Sequence, residues 1–326
     1  MNLEESLKSK IQGKNIRIVF PESTDSRILG AVVRLKREDL LEPVLVGNVE
    51  EVRTTAKEQG FDIEGIEIHD PNNYDKFDEM VDAFVERRKG KATEEQAREI
   101  LNDVNYFGTM LVYLDLVDGL ISGAVHSTSD TVRPALQIVK TRPGVNLTSG
   151  AFLMLRKNDR FIFSDCAINP DPNAEQLAEI AVESARTAEI FDIDPKVALL
   201  SFSSKGSGAG PMVDKVQEAT KIAQETAPEF SIDGELQFDS AFSVDVAQKK
   251  APESKVAGEA NVFIFPELQS GNIGYKIAQR LGGFEAIGPI LQGLNKPIAD
   301  LSRGCIEEDV YKLSIITANQ ALLNGK

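Results

Sequence analysis

Residues 15–23 read Asn-Ile-Arg-Ile-Val-Phe-Pro-Glu-Ser, and the interpretation of the whole fold starts from this stretch. A mainly apolar run of strand length is stopped by the proline, and acidic and hydroxyl residues that can begin a helix follow. The pattern predicts a strand over 15–20 and a helix through about Lys36. The same order recurs over 43–59. Strands that alternate with helices indicate crossover units and a parallel sheet.

Strand and helix patterns continue along the rest of the chain, and no internal repeat interrupts them. A turn at 142–144, Arg-Pro-Gly, is the candidate domain boundary. We therefore predict an α/β protein of two α/β/α domains with mainly parallel sheets. The first domain is assigned to residues 1–145 plus 297–326 and the second to 146–296, with the site in the cleft between them.

Composition excludes several classes of function. The 326 residues carry a net charge of −15, which argues against binding to nucleic acid or to an anionic membrane surface. No apolar run approaches the roughly 20 residues of a membrane span, and the acidic start does not resemble a signal peptide. The two cysteines, Cys166 and Cys305, fit a reducing cytoplasm. Two histidines and no HExxH, CxxC or Walker A pattern argue against a zinc site or a P-loop kinase.

Residues 297–309, Pro-Ile-Ala-Asp-Leu-Ser-Arg-Gly-Cys-Ile-Glu-Glu-Asp, are the most informative for function. They follow an apolar run at 286–291 and precede helical spacing, so we expect a loop between a strand and a helix. Arg303 offers a planar fork for an anion, Ser302 a hydroxyl donor and Asp309 a carboxylate base. This set indicates acyl or phosphoryl transfer. A capped helix start with a solvated arginine would have the same pattern.

A second candidate anion site follows the strand predicted at 118–123. Residues 124–134 read Ala-Val-His-Ser-Thr-Ser-Asp-Thr-Val-Arg-Pro. Hydroxyl groups and backbone N–H groups bind phosphate without a high net positive charge. A capped turn rich in serine and threonine would look the same, and we interpret His126 as structural. The candidate ligands are Ser127, Thr128, Ser129, Thr131 and Arg133.

Three further features each admit two interpretations. The basic run at 86–91 is either a solvated helix end or a phosphate contact through Arg87 or Arg88. The stretch 268–276 is either a plain glycine-rich connection or a close backbone approach at a helix start. Cys166 is either a buried packing residue or a nucleophile, and we favour packing.

Several of these runs together resemble one enzyme family. Asp-Leu-Ser-Arg-Gly-Cys at 300–305, followed by Asp309, resembles the C-terminal signature of phosphate acetyltransferases. The runs at 124–134, 163–170 and 271–276 match the same family, so the resemblance covers nearly the whole chain. It implies a two-domain fold like that of isocitrate and isopropylmalate dehydrogenases. It also implies reversible acetyl transfer between acetyl phosphate and coenzyme A in acetate metabolism.

The resemblance further implies roles for individual residues. Asp309 would accept the thiol proton of coenzyme A, Ser302 would donate to the carbonyl oxygen, and Arg303 would hold the leaving phosphate in a direct, ternary-complex reaction. No metal or cofactor is expected, since coenzyme A is a substrate, and a cytoplasmic homodimer is expected. Acetyl phosphate would meet Arg303, Arg133, Ser127, Thr128, Ser129 and Thr131, and coenzyme A would meet Arg280, Arg87, Gly271, Asn272 and Gly274.

Other functions remain open at this point. A phosphate butyryltransferase would differ in a pocket that the sequence does not reveal. A non-catalytic domain that senses acetyl-CoA would bind without turnover. An NAD-dependent decarboxylating dehydrogenase of similar fold would need a set of metal-binding aspartates that we cannot assemble from this chain.

Overall fold

The computed structural model describes residues 3–324. By contact the chain divides into two compact units. Unit 1 comprises Met1–Pro143 and Leu294–Lys326, and unit 2 comprises Gly144–Gly293. The chain therefore leaves unit 1 once, builds unit 2 and returns.

The helices and strands are numbered in chain order. The first part of unit 1 contains α1 (Leu3–Ile11), β1 (Arg17–Phe20), α2 (Ser26–Arg37), β2 (Glu42–Val46), α3 (Val49–Glu58), β3 (Glu67–His69), α4 (Phe77–Arg88), α5 (Glu94–Ile100), α6 (Val104–Tyr113), β4 (Gly119–Ser122) and α7 (Thr128–Pro134), with a 3-10 turn at Pro71–Asn73 and a π-helical turn at Ala135–Val139. Unit 2 contains β5 (Ser149–Arg156), β6 (Asp159–Ser164), α8 (Ala174–Ile190), β7 (Lys196–Leu200), α9 (Pro211–Thr226), β8 (Ser231–Leu236), α10 (Phe238–Phe242), α11 (Val244–Lys250), β9 (Val262–Ile264), α12 (Leu268–Arg280) and β10 (Glu285–Gln292). The chain returns to unit 1 with β11 (Ile298–Asp300) and α13 (Glu307–Asn324).

Unit 1 is built on a parallel sheet with the strand order β11-β4-β1-β2-β3. Ile18, Val19 and Phe20 in β1 point alternately to opposite faces, and all three are fully buried. Both faces of the sheet are therefore covered, as is usual for parallel strands. Since β1, β4 and β11 are neighbours, the loops that follow them start at one edge of the sheet.

Unit 2 contains a mixed sheet with the order β10-β5-β6-β9-β7-β8. The β5–β6 and β5–β10 pairs are antiparallel, and the remaining three pairs are parallel. The predicted α/β class, with two α/β domains and mainly parallel sheets, is confirmed. No helix in residues 3–324 is both long enough and apolar enough to cross a membrane.

Two local predictions were wrong. We expected the strand at 286–291 to lead into the functional loop, but that strand is β10 of unit 2. A separate strand of three residues, β11, precedes the loop and pairs with β4. We also expected a helix to begin near residue 276, whereas α12 begins at Leu268 because the Glu267 carboxylate accepts hydrogen bonds from the first-turn N–H groups.

Candidate active site

The first component of the site is the buried carboxylate of Glu22, in the loop that follows β1. Glu22 accepts hydrogen bonds from the backbone N–H groups of Ala124, Val125 and His126 at 2.7–2.8 Å, and its Oε1 lies 2.9 Å from Nδ1 of His126. Glu22 is 5% exposed, so these donors replace the water that it has lost. Glu22 thus fixes the loop that follows β4, and His126 helps to hold it.

The second component is Arg27, in the first turn of α2. Its guanidinium makes a bidentate ion pair with Asp25 and donates to the carbonyl oxygens of Ala124 at 2.8 Å, Arg303 at 2.9 Å and Cys305 at 3.1 Å. The hydrogen bond from Arg27 is the main cause that lowers the pKa of Asp25. One planar cation therefore joins the loops after β1, β4 and β11, which a lysine cannot do in the same geometry.

The loop after β11 consists of two successive turns. The N–H of Cys305 donates to the carbonyl oxygen of Ser302 at 2.9 Å, and the N–H of Ile306 donates to Oδ2 of Asp309 at 2.9 Å. The latter bond is the helix cap that the alternative interpretation anticipated. Ser302, Arg303 and Asp309 are all exposed. The guanidinium of Arg303 makes no hydrogen bond or ion pair with any part of the chain that the structure describes.

The hydroxyl turn, residues 127–131, combines a structural cap with exposed donors. The Ser127 hydroxyl donates to the Asp130 carboxylate at 2.7 Å in a capping box, so Ser127 is a capping residue in this structure. Thr128 and Ser129 are exposed, and the Ser129 hydroxyl accepts a hydrogen bond from Arg133 at 2.9 Å. Thr131, by contrast, is buried.

Asp300 lies beneath these two loops as the last residue of β11. Burial raises the pKa of its carboxyl to about 6; the hydroxyls of Thr128 and Thr131 oppose this rise, and the charge of Glu22 adds to it. Gly123 makes this packing possible: its φ is +108°, and a Cβ there would lie 2.6 Å from Oδ1 of Asp300.

Cys305 is buried under the same loop. Burial raises the pKa of its thiol, the Arg27 guanidinium acts in the opposite direction, and the charge of Asp309 adds to the rise. A buried, protonated thiol is a weak nucleophile. Cys305 therefore contributes to packing and to the network around Arg27.

The structure distinguishes the two arginines of the basic run. Arg87 donates to the carbonyl oxygens of Ile138 at 2.6 Å and Val139 at 3.0 Å, which terminates the π-helical turn. Its guanidinium also lies 4.9 Å from the centre of the Tyr113 ring. Arg88 makes no such bond among the described residues, and it acts on the pKa of Tyr106 together with Arg133. Arg88, rather than Arg87, is thus available to an anion.

The four predicted coenzyme contacts of unit 2 all lie in α12. Gly271 packs so closely that a Cβ would lie 2.3 Å from the carbonyl oxygen of Asp165. Asn272 donates to the carbonyl oxygen of Cys166 at 3.1 Å. Gly274 faces the ring of Phe265. These three residues pack α12 against neighbouring segments of unit 2, whereas Arg280, the last residue of α12, is exposed.

Cys166 is fully buried, and burial raises its pKa well above the ordinary value, in agreement with a packing role.

The glycine- and serine-rich loop at 203–210 already binds a carboxylate of this chain, that of Glu235 in β8. Glu235 accepts hydrogen bonds from the N–H of Gly206 and the hydroxyl of Ser203, both at 2.8 Å. A carboxylate in this position disfavours phosphate there.

Sequence reasoning missed the contributions of Glu22, Arg27 and Asp300. Glu22 follows β1, Arg27 lies in the first turn of α2 and Asp300 ends β11, so all three lie at the carboxyl edge of the sheet, where α/β proteins place ligands. That position was the available signal. The partners of Arg27 lie up to 278 residues away along the chain, so spacing could not reveal them.

A family model described as "Phosphate acetyl/butaryl transferase" matches residues 2–318. The phosphate acetyltransferase of Bacillus subtilis (strain 168) is 59% identical over 321 residues, covering 98% of this chain and 99% of that protein. A phosphotransacetylase structure from Streptococcus pyogenes is 62% identical, with a TM-score of 0.97 and 98% of each chain covered.

A more distant likeness concerns the fold alone. The structure of a putative 4-hydroxythreonine-4-phosphate dehydrogenase from Salmonella typhimurium is 12% identical, with a TM-score of 0.54 over 94% of this chain and 99% of that chain. The predicted similarity to dehydrogenase folds agrees with this finding.

Proposed function

The chain belongs to the phosphate acetyl/butaryl transferase family, and from this premise we propose that it catalyses acetyl transfer between acetyl phosphate and coenzyme A. The supporting observation is the loop after β11. Ser302 and Arg303 are exposed on this loop, whose backbone is held by Arg27, and Asp309 is exposed in the first turn of α13, which follows it. The hydroxyl turn starts at the same edge of the same sheet. This arrangement supplies a donor, an anion clamp and a base.

We propose a direct reaction in which both substrates are bound together. Asp309 accepts the proton of the coenzyme A thiol, and the sulfur attacks the acetyl carbonyl carbon. The Ser302 hydroxyl donates to the oxygen that gains charge, and Arg303 holds the phosphate that leaves. The exposed hydroxyls of Thr128 and Ser129, with Arg133, complete the phosphate contacts. The products are acetyl-CoA and inorganic phosphate.

The proton transfer must be concerted with attack. An ordinary thiol and an ordinary aspartate differ by about 4–5 pKa units, so complete transfer before attack would require about 6 kcal/mol. The Asp309 carboxylate also accepts a hydrogen bond from the N–H of Ile306, which orients it. Because phosphate is a good leaving group, bond formation to carbon can proceed while the thiol proton is still in transit.

For coenzyme A we propose Arg88 as the contact in the basic run, because the guanidinium of Arg87 is already bonded to backbone carbonyls. Burial and the charges of Arg87, Lys89, Arg88 and Lys91 lower the pKa of Lys140, which reflects the concentration of cations there. In unit 2, Arg280 stays a predicted contact. Gly271, Asn272 and Gly274 would act through the seating of α12.

We also propose a cytoplasmic homodimer that needs no metal or bound cofactor. The two free cysteines support the location. An exposed apolar stripe supports the dimer: Ile273 and Ile277 of α12 and Leu281, which directly follows it, occur every four residues and are 52–85% exposed. Sedimentation velocity tests the assembly, and turnover unchanged by EDTA tests the independence from metals.

The decisive experiment follows thioester absorbance after mixing acetyl phosphate with coenzyme A. Sustained formation of acetyl-CoA is expected, and acetyl phosphate should outperform butyryl phosphate. A faster rate with butyryl phosphate would favour the butyryltransferase alternative. Binding of acetyl-CoA without turnover would indicate a sensing domain.

Asp309→Asn provides the mechanistic test. It should reduce kcat strongly and leave KM for both substrates nearly unchanged, since the base acts on the transition state. Glu308→Gln, at the neighbouring position, is the matched control and should keep most of the activity. A near-normal kcat for Asp309→Asn would remove this carboxylate from the mechanism.

A further inference from the structure

Asp300 adjoins both loops that carry the proposed anion ligands. It ends β11 two residues before Ser302, and it pairs in register with Ser122, the last residue of β4. Its side chain lies against the hydroxyls of Thr128 and Thr131. Asp300 is 2% exposed, and its carboxylate crowds the backbone at Gly123. The mechanism above does not use it.

Three polar atoms are left without partners at this place. Oδ1 of Asp300, Oγ of Ser122 and Oγ1 of Thr131 are buried, and none has a hydrogen-bond partner in the described part of the chain. A buried carboxylate with unfilled acceptor capacity is unfavourable. A protonated carboxyl could donate to either hydroxyl, because a hydroxyl oxygen also accepts. The surroundings therefore favour the neutral acid.

We propose that Asp300 is a positioning residue that joins the hydroxyl turn to the Ser302–Arg303 loop, and that its carboxyl takes up a proton when a phosphoanion binds there. The proposal rests on the proposed function, because it assumes a phosphoanion at the exposed hydroxyls of Thr128 and Ser129. The proton comes from solvent and ends on Asp300, so no other reactant is required.

The charges around Asp300 determine the direction of the effect. Glu22, from the loop after β1, is the charged group that acts on it; β4 contributes the Ser122 hydroxyl, and α7 contributes the hydroxyls of Thr128 and Thr131. A bound dianion adds negative charge and so raises the pKa of Asp300 above its value of about 6. Anion affinity should therefore rise as pH falls from about 8 to about 5, and level off below that.

The test is calorimetric titration of the whole protein with sulfate, which stays a dianion throughout this range. Repeating the titration in buffers with different ionisation enthalpies measures the protons taken up. For a rise of about one pKa unit on binding, uptake near pH 6.5 should reach about half a proton per sulfate. The dissociation constant should fall about fivefold between about pH 8 and pH 6, and approach a tenfold change below about pH 5.

Matched variants test whether Asp300 is the residue that takes up the proton. Asp300→Asn should bind sulfate without proton uptake and with an affinity independent of pH. Asp82→Asn, at an exposed carboxylate of α4, should behave as the wild type. A purely structural role for Asp300 would change stability and leave proton uptake in place.

Undiminished proton uptake by folded Asp300→Asn would overturn the proposal. If that variant does not fold, infrared difference spectra of the wild type with isotopically labelled aspartate decide. A carbonyl band of a protonated carboxyl should appear when sulfate is added, and its absence would refute the proposal. Sulfate binding needs no turnover, so a failed acetyl-transfer assay would count against the function without deciding the role of Asp300.

Discussion

Replacing Asp300 with asparagine should stabilise unit 1 at neutral pH. Burial raises the carboxyl pKa from the ordinary 3.8 to about 6, a difference of about two units. Each unit corresponds to about 1.4 kcal/mol, so ionised Asp300 lowers the free energy of unfolding by about 3 kcal/mol. The asparagine side chain has similar shape, carries no charge and can donate to Thr131 or Ser122.

The raised pKa of Asp300 determines how the free energy of unfolding changes with pH. Between about pH 4 and pH 6 the folded protein binds more protons at Asp300 than the unfolded chain does, so its stability falls as pH rises. Below that window the carboxyl is neutral in both states. Asp300→Asn and the wild type should therefore be equally stable near pH 4 and differ fully above about pH 6.

Urea unfolding at several pH values provides the assay. The signal can be made specific for unit 1, because the chain contains no tryptophan and four of its five tyrosines lie there. Tyrosine fluorescence then reports mainly on unit 1, while far-ultraviolet circular dichroism reports on both units. The five tyrosines are Tyr74, Tyr106, Tyr113, Tyr275 and Tyr311.

Two results would refute the reasoning. A stability difference that stays constant from pH 4 to pH 8 would mean that packing or hydrogen bonding, rather than charge, distinguishes the two side chains. A variant that is less stable than the wild type at pH 7 would mean that ionised Asp300 has partners that compensate for its burial.

Three other changes have definite expected outcomes. Arg27→Ala should lower kcat/KM about tenfold to a hundredfold, since the loop bearing Ser302 loses its anchor; Arg27→Lys should restore only part of it, and normal steady-state kinetics for both variants would contradict the anchoring role. Arg88→Ala should raise KM for coenzyme A more than Arg87→Ala does, whereas Arg87→Ala should lower the melting temperature more; the reverse pattern would show that Arg87 is the contact. Leu281→Glu should shift the sedimentation profile towards the monomer, Lys276→Glu on the same helix should not, and a stable Leu281→Glu dimer would place the interface elsewhere.

The sequence predicted the repeating units of the fold because long apolar runs and helical periodicity are local signals. It failed at β11, where only three residues, Ile298 to Asp300, form the strand. A run this short has no measurable period, and its assignment depends on pairing with β4, about 180 residues earlier in the chain. The start of α12 was missed because a glutamate cap, Glu267, is a less common signal than serine or threonine.

The candidate site was predictable as a set of residues but not as a network. Ser302, Arg303 and Asp309 stood out because they lie close together in the sequence. The functions of Arg27 and Glu22 depend on carbonyl and N–H groups of distant segments, which have no side-chain signature in the sequence. The buried state of Thr131, beside exposed Thr128, likewise depends on the packing of α7 over Asp300.

The return of the chain to unit 1 has a consequence for biosynthesis. Ribosomes deliver the chain from its N-terminus, and β11 and α13 emerge only after all of unit 2. Until then β4 is left as an open edge, α2 lacks the helix that packs on it, and Arg27 lacks two of its carbonyl partners. Nascent unit 1 would thus be open to proteases and to binding by chaperones for longer than nascent unit 2, which is formed by one continuous segment of the chain.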